Sequence, residues 1–327
     1  MKGKMNASAS EKAPVILIIY NRPDLTQKIL TAISQYRPDR LYIIADGPKN
    51  KEDNELCTQT RSIVEKIDWD CVIRKNYSKV NLGCGKRISS GISWAFESCD
   101  RAIILEDDCL PAPGFFDFCE RLLDFYKFDE RVGMISGNSF VDASNIEFSY
   151  YFSCFPHMWG WATWKRVWAN FDLQIEKWPN VRDTKLIFDK TGSSYYAQRW
   201  MNIFDCVFTG QIDTWAYPFV LMFWLQNYLS IVPKENLVSN IGFNERATHT
   251  KNSQSVYSNS PLGRVELPLS HPQDIMRDFE RDFQDLLLAF GEKPNIRHKV
   301  KRYLKNKIKD CYAVFCSLLG LSKMDRI

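Results

Sequence analysis

The sequence predicts an α/β protein built on a mostly parallel central sheet flanked by helices. Short, continuously apolar β-rich runs recur through the first hundred or so residues, as expected for strands buried on both faces. Between them the apolar residues shift to helical spacing, and a polar cluster ends each of three of the runs.

The first run is 15–19, stopped by Asn21-Arg22-Pro23-Asp24. Leu25, Ile29, Leu30 and Ile33 then recur at helical spacing. Residues 41–45 predict a second strand, closed by Asp46-Gly47-Pro48, with a charged helical stretch around 61–67. Residues 71–74 predict a short third strand, and Asn81-Leu82-Gly83-Cys84-Gly85 leads into a helix over 86–97. The fourth run, 101–105, passes straight into Glu106-Asp107-Asp108. Further on, 113–126 predicts a helix, 132–136 a strand and 195–208 a helix. Right-handed crossovers place helices on the faces of such a sheet, and ligands gather beyond the carboxyl ends of its strands. Asn21, Asp46 and Glu106–Asp108 are therefore expected to converge on one cleft.

Composition bounds the rest. A chain of 327 residues, 45% apolar and 25% charged, is globular, in one large domain or two ordinary ones. Its net charge of +4 is too small for a nucleic-acid binder. Residues 293–309 hold eight Lys or Arg and no acid, so the remainder stands at +4 − 8 = −4. Ten scattered cysteines without a C-x-x-C pair, and four histidines without H-E-x-x-H, argue against thiolate and histidine metal centres. Residues 1–14 have no apolar signal core, and the longest apolar stretch, 215–225, is about half a membrane span and contains Pro218. A soluble, reduced, cytoplasmic protein is the expectation.

Three adjacent carboxylates after a buried strand are the strongest chemical signal. Their mutual repulsion calls for a cation or strong donors, and a hard divalent ion with a nucleotide diphosphate meets that demand. A solvated acidic turn opening the next helix is the plainer alternative. The 81–85 loop is small enough for backbone to approach a phosphate, but it is neither G-x-x-x-x-G-K-[ST] nor G-x-G-x-x-G.

Four ordered motifs, PVILIIYNRPD ending at Asp24, LYIIADGP at 41–48, NLGCGKRISSG at 81–91 and AIILEDDCLPAP at 102–113, resemble GT-A-fold glycosyltransferases. The Glu106-Asp107-Asp108 triplet is similar to the D-x-D variant of the N-acetylglucosaminyltransferase I type and its bacterial polysaccharide-biosynthesis relatives. WGWATW at 159–164, DTW at 213–215 and LVSNIGFNERATHT at 237–250 extend the resemblance over about 14–250.

The resemblance implies a Rossmann-like domain over 14–250, with a nucleotide-sugar half (14–130) and an acceptor half (131–250). Tyr20, Asn21, Arg22, Asp46, Asn81, Leu82, Gly83, Glu106 and Asp107 would contact a UDP-sugar. Asp108 would hold manganese or magnesium, His249 would reach the metal or diphosphate, and Asp213 would be the base. Ala216 and Pro218 stand where some relatives have Asp and Arg, which leaves Asp205 and Glu235 as alternative bases. Arg87 is a candidate phosphate partner or a solvated helix residue. Trp159, Gly160 and Trp161 are candidate acceptor-site walls, with core packing as the other reading of the tryptophans.

Transfer to a glycan or lipid-linked glycan acceptor in surface polysaccharide synthesis is the implied activity, with inversion. A sugar-phosphate nucleotidyltransferase and a non-catalytic carbohydrate-binding protein remain the alternatives. Residues 251–262, rich in Ser and Asn, predict a mobile loop or linker before a helical extension over 263–327. In its tail Ile296, Val300, Leu304 and Ile308 recur among basic residues. That pattern suits either an anionic inner-membrane surface or packing on the domain.

Overall fold

The computed structural model describes residues 11–243 and 257–292. The elements run β1 (Val15–Ile19), α1 (Pro23–Tyr36), β2 (Arg40–Ala45), α2 (Lys51–Val64), β3 (Val72–Tyr77), α3 (Cys84–Phe96) and β4 (Arg101–Glu106). There follow β5 (Cys109–Pro111), α4 (Phe115–Phe125), β6 (Val132–Ser136), β7 (Tyr150–Ser153) and β8 (Trp161–Trp164). The helices α5 (Lys165–Trp168), α6 (Trp178–Val181), α7 (Leu186–Thr191), α8 (Ser194–Phe208) and α9 (Ala216–Leu225) precede β9 (Leu229–Pro233), β10 (Val238–Asn240) and α10 (Phe279–Phe290).

Eight strands form one sheet in the order β3-β2-β1-β4-β8-β6-β9-β7, while β10 and β5 make a small antiparallel pair. The first four are parallel, with Val15 opposite Leu41 on one side and Ile103 on the other. The chain steps outward from β1 to β3, then returns across β1 to place β4 on its far side. That reversal makes the gap beyond β1 and β4 the crevice where an open α/β sheet takes its ligand.

Every residue of β1 is buried, and α1 buries Leu25, Ile29, Leu30 and Ile33, the residues at helical spacing. Pro23 and Asp24 sit in the first turn of α1, where a missing N–H and a negative charge are both tolerated. The second half of the sheet is antiparallel at β8, which pairs β4 on one edge and β6 on the other. Trp161 of β8 is 1% exposed and stacks on Trp215, with ring centroids 5.6 Å apart. Helix α9 buries all residues from Pro218 to Trp224, so the longest apolar stretch is a core helix. No helix among the described residues is long and apolar enough to cross a membrane.

Residues up to Leu286 belong to one compact unit, and those from Leu287 onward to a second, of which the described part ends α10. Of the expected loop or linker at 251–262, residues 257–262 are described. Asn259 N–H donates to Asn240 O at 3.1 Å, Ser149 N–H to Ser270 O at 2.9 Å, and Asp278 N–H to Phe152 O at 2.8 Å. Asp282, 1% exposed, accepts from Ser153 Oγ, Cys154 N–H and Arg277 Nε. These bonds satisfy the outer strand β7 with backbone from 270–278, so the start of the extension completes the domain.

His157 Nε2 lies 2.9 Å from Asp285 Oδ2 on α10. Burial works against the imidazolium, but Asp285, helped by Asp282, outweighs it and raises the His157 pKa above 6.5. A raised pKa stabilises the fold fully below the unfolded value and loses that contribution as pH climbs through the folded one. Asp285→Asn should therefore lower stability by about 2 kcal/mol near pH 6 and by much less near pH 9. Thermal denaturation of both proteins at the two pH values checks this; a gap that widens with pH would contradict the pairing.

Candidate functional site

Three loops meet beyond the carboxyl ends of β1, β2 and β4. The turn after β1 carries Tyr20, Asn21 and Arg22, and the turn after β4 carries Asp107 and Asp108. Tyr20 N–H donates to Asp107 Oδ2 at 3.0 Å. Arg22 Nη1 lies 2.6 Å from Asp108 Oδ2 and 3.5 Å from Asp107 Oδ1, with side-chain exposures of 12%, 12% and 9% for the three residues. Burial first, then Asp108 and Asp107, pushes the Glu106 carboxyl well above its usual range. Burial also pushes Asp107 up, against the pull of Arg22 and with Asp108 adding to the rise. One guanidinium among three carboxylates thus leaves the centre short of positive charge.

Asp46, 7% exposed at the end of β2, reaches across to the loop before α3. Its Oδ1 accepts from Gly47 N–H at 2.8 Å and Leu82 N–H at 2.9 Å. Its Oδ2 accepts from Asn81 Nδ2 at 3.1 Å and Gly83 N–H at 3.2 Å. Asn81 Nδ2 also donates to Gly47 O at 2.9 Å. Gly47 is required here, because a Cβ would lie 2.4 Å from the Val80 carbonyl carbon.

The same loop seats the exposed Asp213. Gly85 N–H, in the first turn of α3, donates to Asp213 Oδ1 at 3.1 Å. Gly83 has φ +81°, and a Cβ on it would stand 2.5 Å from Asp213 Oδ2. Asp213 thereby takes up the positive end of α3. Burial pushes the Cys84 thiol up, and the charges of Glu106 and Asp213 push it further.

Several positioning residues have weak sequence signals. Asp53, in the first turn of α2, accepts from Tyr20 Oη and Asn21 Nδ2, each at 2.7 Å, and so fixes the turn after β1. Burial opposes its charge, but these two bonds, together with Lys49, outweigh burial and lower its pKa. Its signal was Asn50, whose side chain accepts from Asp53 N–H at 2.8 Å, a helix N-cap three residues ahead of an acid. Arg61 Nη2 donates to Asp46 O at 2.8 Å and Ser78 O at 2.9 Å, joining the turns after β2 and β3. Fully buried Asn138 accepts from Trp159 N–H at 3.1 Å and donates to Val238 O at 3.0 Å. Gly242 packs on the carboxylate centre, since a Cβ there would lie 2.2 Å from Asp108 Oδ2.

Other candidates fall elsewhere. Arg87 is 5% exposed and donates through Nη2 to Asn76 O and Asn76 Oδ1, so it braces β3 and is not a solvated helix residue. Trp161 is core, and its expected place in an acceptor wall is corrected by its stacking on Trp215. Trp159 is half-buried and meets Phe140 and Phe243 edge-on, each at 5.6 Å. Gly160 takes φ +70° to turn the chain into β8. Asp205 pairs with Arg182 and Trp178, and Glu235 accepts from Arg264 N–H at 2.8 Å, so both alternative bases are engaged. His249 and the basic tail lie outside the described residues. Among the described residues no three His, Cys, Asp or Glu side chains are grouped to hold a metal by themselves.

No family model matches the sequence, and no curated protein matches it. Among solved structures, residues 1–349 of S. aureus TarS are similar at 11% identity and a TM-score of 0.40, over 69% of this chain and 59% of that one. The glycosyltransferase GlyE of Streptococcus pneumoniae TIGR4 is similar at 10% identity and 0.32, over 67% of this chain and 45% of that one. An apo UDP-glucose pyrophosphorylase is similar at 8% identity and 0.34, over 69% and 92%. The likeness thus spans about three-fifths of the TarS chain and under half of GlyE.

Proposed function

We propose that the chain is a metal-dependent GT-A-type glycosyltransferase that moves a sugar from a UDP-sugar to a glycan or lipid-linked glycan acceptor, with inversion. The observation that supports this best is a pair of distinct carboxylate centres beyond the carboxyl ends of the parallel strands. One is buried, cation-hungry and set at the β1–β4 switch point; the other, Asp213, is exposed on the α3 N-terminus.

The donor set suits a hard divalent ion that takes one carboxylate oxygen, from Asp108, and leaves its other positions to phosphates and water. Such an ion, manganese or magnesium, would act as a Lewis acid on the departing diphosphate. Glu106 and Asp107 would face hydroxyls of the sugar and ribose. The 81–83 loop, pinned by Asp46, would present backbone to the base and ribose, while Arg22 would pair with phosphate oxygens. Asp213 would take the proton from the acceptor hydroxyl as its oxygen attacks the anomeric carbon opposite the leaving diphosphate. Attack from that side inverts the centre. Trp159 would wall the acceptor side.

A nucleotidyltransferase would need a Gly-rich, Lys-bearing loop after β1, where Tyr20-Asn21-Arg22-Pro23 stands instead. The test is a melting screen with UDP, GDP, CDP, CMP and ATP, each with and without manganese. UDP with manganese at about a hundred times its Kd should stabilise by about 2.7 kcal/mol, a rise of roughly 4–5 °C. A UDP shift that ignores manganese would remove the metal from this reading, and no shift with any nucleotide would overturn it.

A further inference from the structure

We propose that Arg22 is a resident counter-cation that closes the carboxylate centre to a free divalent ion and releases Asp108 only when the ion arrives with a nucleoside diphosphate. The inference rests on the donor and metal reading above and adds an order to it.

Asp108 Oδ2 is enclosed on two sides. Arg22 Nη1 holds it at 2.6 Å, and the backbone at Gly242 comes so near that a Cβ would stand 2.2 Å away. Its other oxygen, Oδ1, faces Cys109 Sγ at 3.5 Å. Among the described residues no other Lys, Arg or His forms an ion pair with Asp107 or Asp108. An ion that takes Oδ2 must therefore displace the guanidinium.

That exchange is unfavourable on its own. Arg22 would leave two carboxylates that are largely shielded from water and gain no partner, and a shielded charge left unpaired is costly. A diphosphate changes the balance, because its oxygens accept a guanidinium as readily as carboxylates do. Arg22 is placed for the handover. It is the residue just before α1, its side chain makes no capping bond to that helix, and the neighbouring N–H groups also favour an anion. A nucleoside diphosphate arrives with negative charge of its own. The guanidinium freed from Asp108 is then the natural partner for that charge. Metal and nucleotide should accordingly bind with strong positive coupling.

The experiment is calorimetric titration of manganese into the full chain and its R22Q and R22K variants, with and without UDP, after melting curves confirm that each is folded. Wild type should bind manganese at least roughly tenfold tighter with UDP present. R22Q should bind manganese without UDP roughly tenfold tighter than wild type and lose most of that coupling. R22K, which keeps a charge but not the fork, should fall between them. Manganese affinities in R22Q and R22K equal to wild type without UDP would overturn the inference and leave the glycosyltransferase reading standing. Tighter manganese binding in R22Q with no response to UDP in any variant would uphold the counter-cation and overturn the UDP-donor reading. Absence of manganese binding in every variant and condition would overturn both the inference and the metal.

Discussion

Asp213→Asn is expected to reduce sugar transfer by about 10²–10⁴-fold while leaving UDP affinity near that of the wild type. The substitution is conservative where structure is concerned. The Asp213 oxygen that accepts from Gly85 N–H at 3.1 Å can be kept as an amide oxygen, so the α3 N-terminus stays satisfied. It removes the negative charge and the basic oxygen that an acceptor hydroxyl would need. Asp213 is exposed, whereas Glu106 and Asp107 are held by burial in a state that disfavours ionisation, so they are poor substitutes as bases. Steady-state kinetics with donor and acceptor, beside calorimetry with UDP and manganese, separates the two effects. Unchanged turnover would move the base elsewhere. Loss of UDP binding in parallel with turnover would make Asp213 a seat for the loop and not a proton acceptor.

The parallel half of the sheet was legible because both faces of its strands are buried. The expected 15–19 and 132–136 strands match β1 and β6, and β2 and β4 each extend by one residue. The third strand was expected over 71–74 but runs Val72–Tyr77, because it is the sheet's edge and its Arg74, Lys75 and Asn76 need no apolar partner. Helix α2 was expected around 61–67 and runs Lys51–Val64. Only Cys57, Thr60 and Val64 of it are buried, which is too few to mark its first turns by periodicity. Strand β8 was hidden for another reason. Four residues inserted between β4 and β6 carry two tryptophans, so the aromatic content was visible and the pairing was not.

The site divides along the same line. Chain order placed Asn21, Asp46 and Glu106–Asp108 at strand ends, and the sheet brings those ends together. What spacing does not encode is where a side chain spends its hydrogen bonds. Arg87 turns towards Asn76, Asp53 reaches back to Tyr20, and Asp46 commits both oxygens to a loop 35 or more residues away.

That commitment makes Asp46 the position where a single change should cost most in stability and binding together. Its carboxylate accepts from four donors, Gly47 N–H, Asn81 Nδ2, Leu82 N–H and Gly83 N–H, and the residue is 7% exposed. Asp46→Ala leaves these donors facing a void, and bonds to a charged acceptor are each worth about 1.5–3 kcal/mol. Because the four share one anchor their losses do not add, and a total of about 3 kcal/mol is expected, or roughly 4–5 °C in Tm. Asp46→Asn should recover little, since its NH2 would point a donor at backbone N–H groups. Asn81→Ala should cost less, because the backbone bonds to Asp46 survive it. The functional loss should exceed the thermal one. Gly83 and Gly85 follow the pinned loop and hold Asp213, so releasing the loop displaces the donor platform and the base together. Melting curves and UDP titration of the three variants test this. An Asp46→Ala protein that melts with the wild type would show that Arg61, through Asp46 O and Ser78 O, holds the turns after β2 and β3 together without the carboxylate.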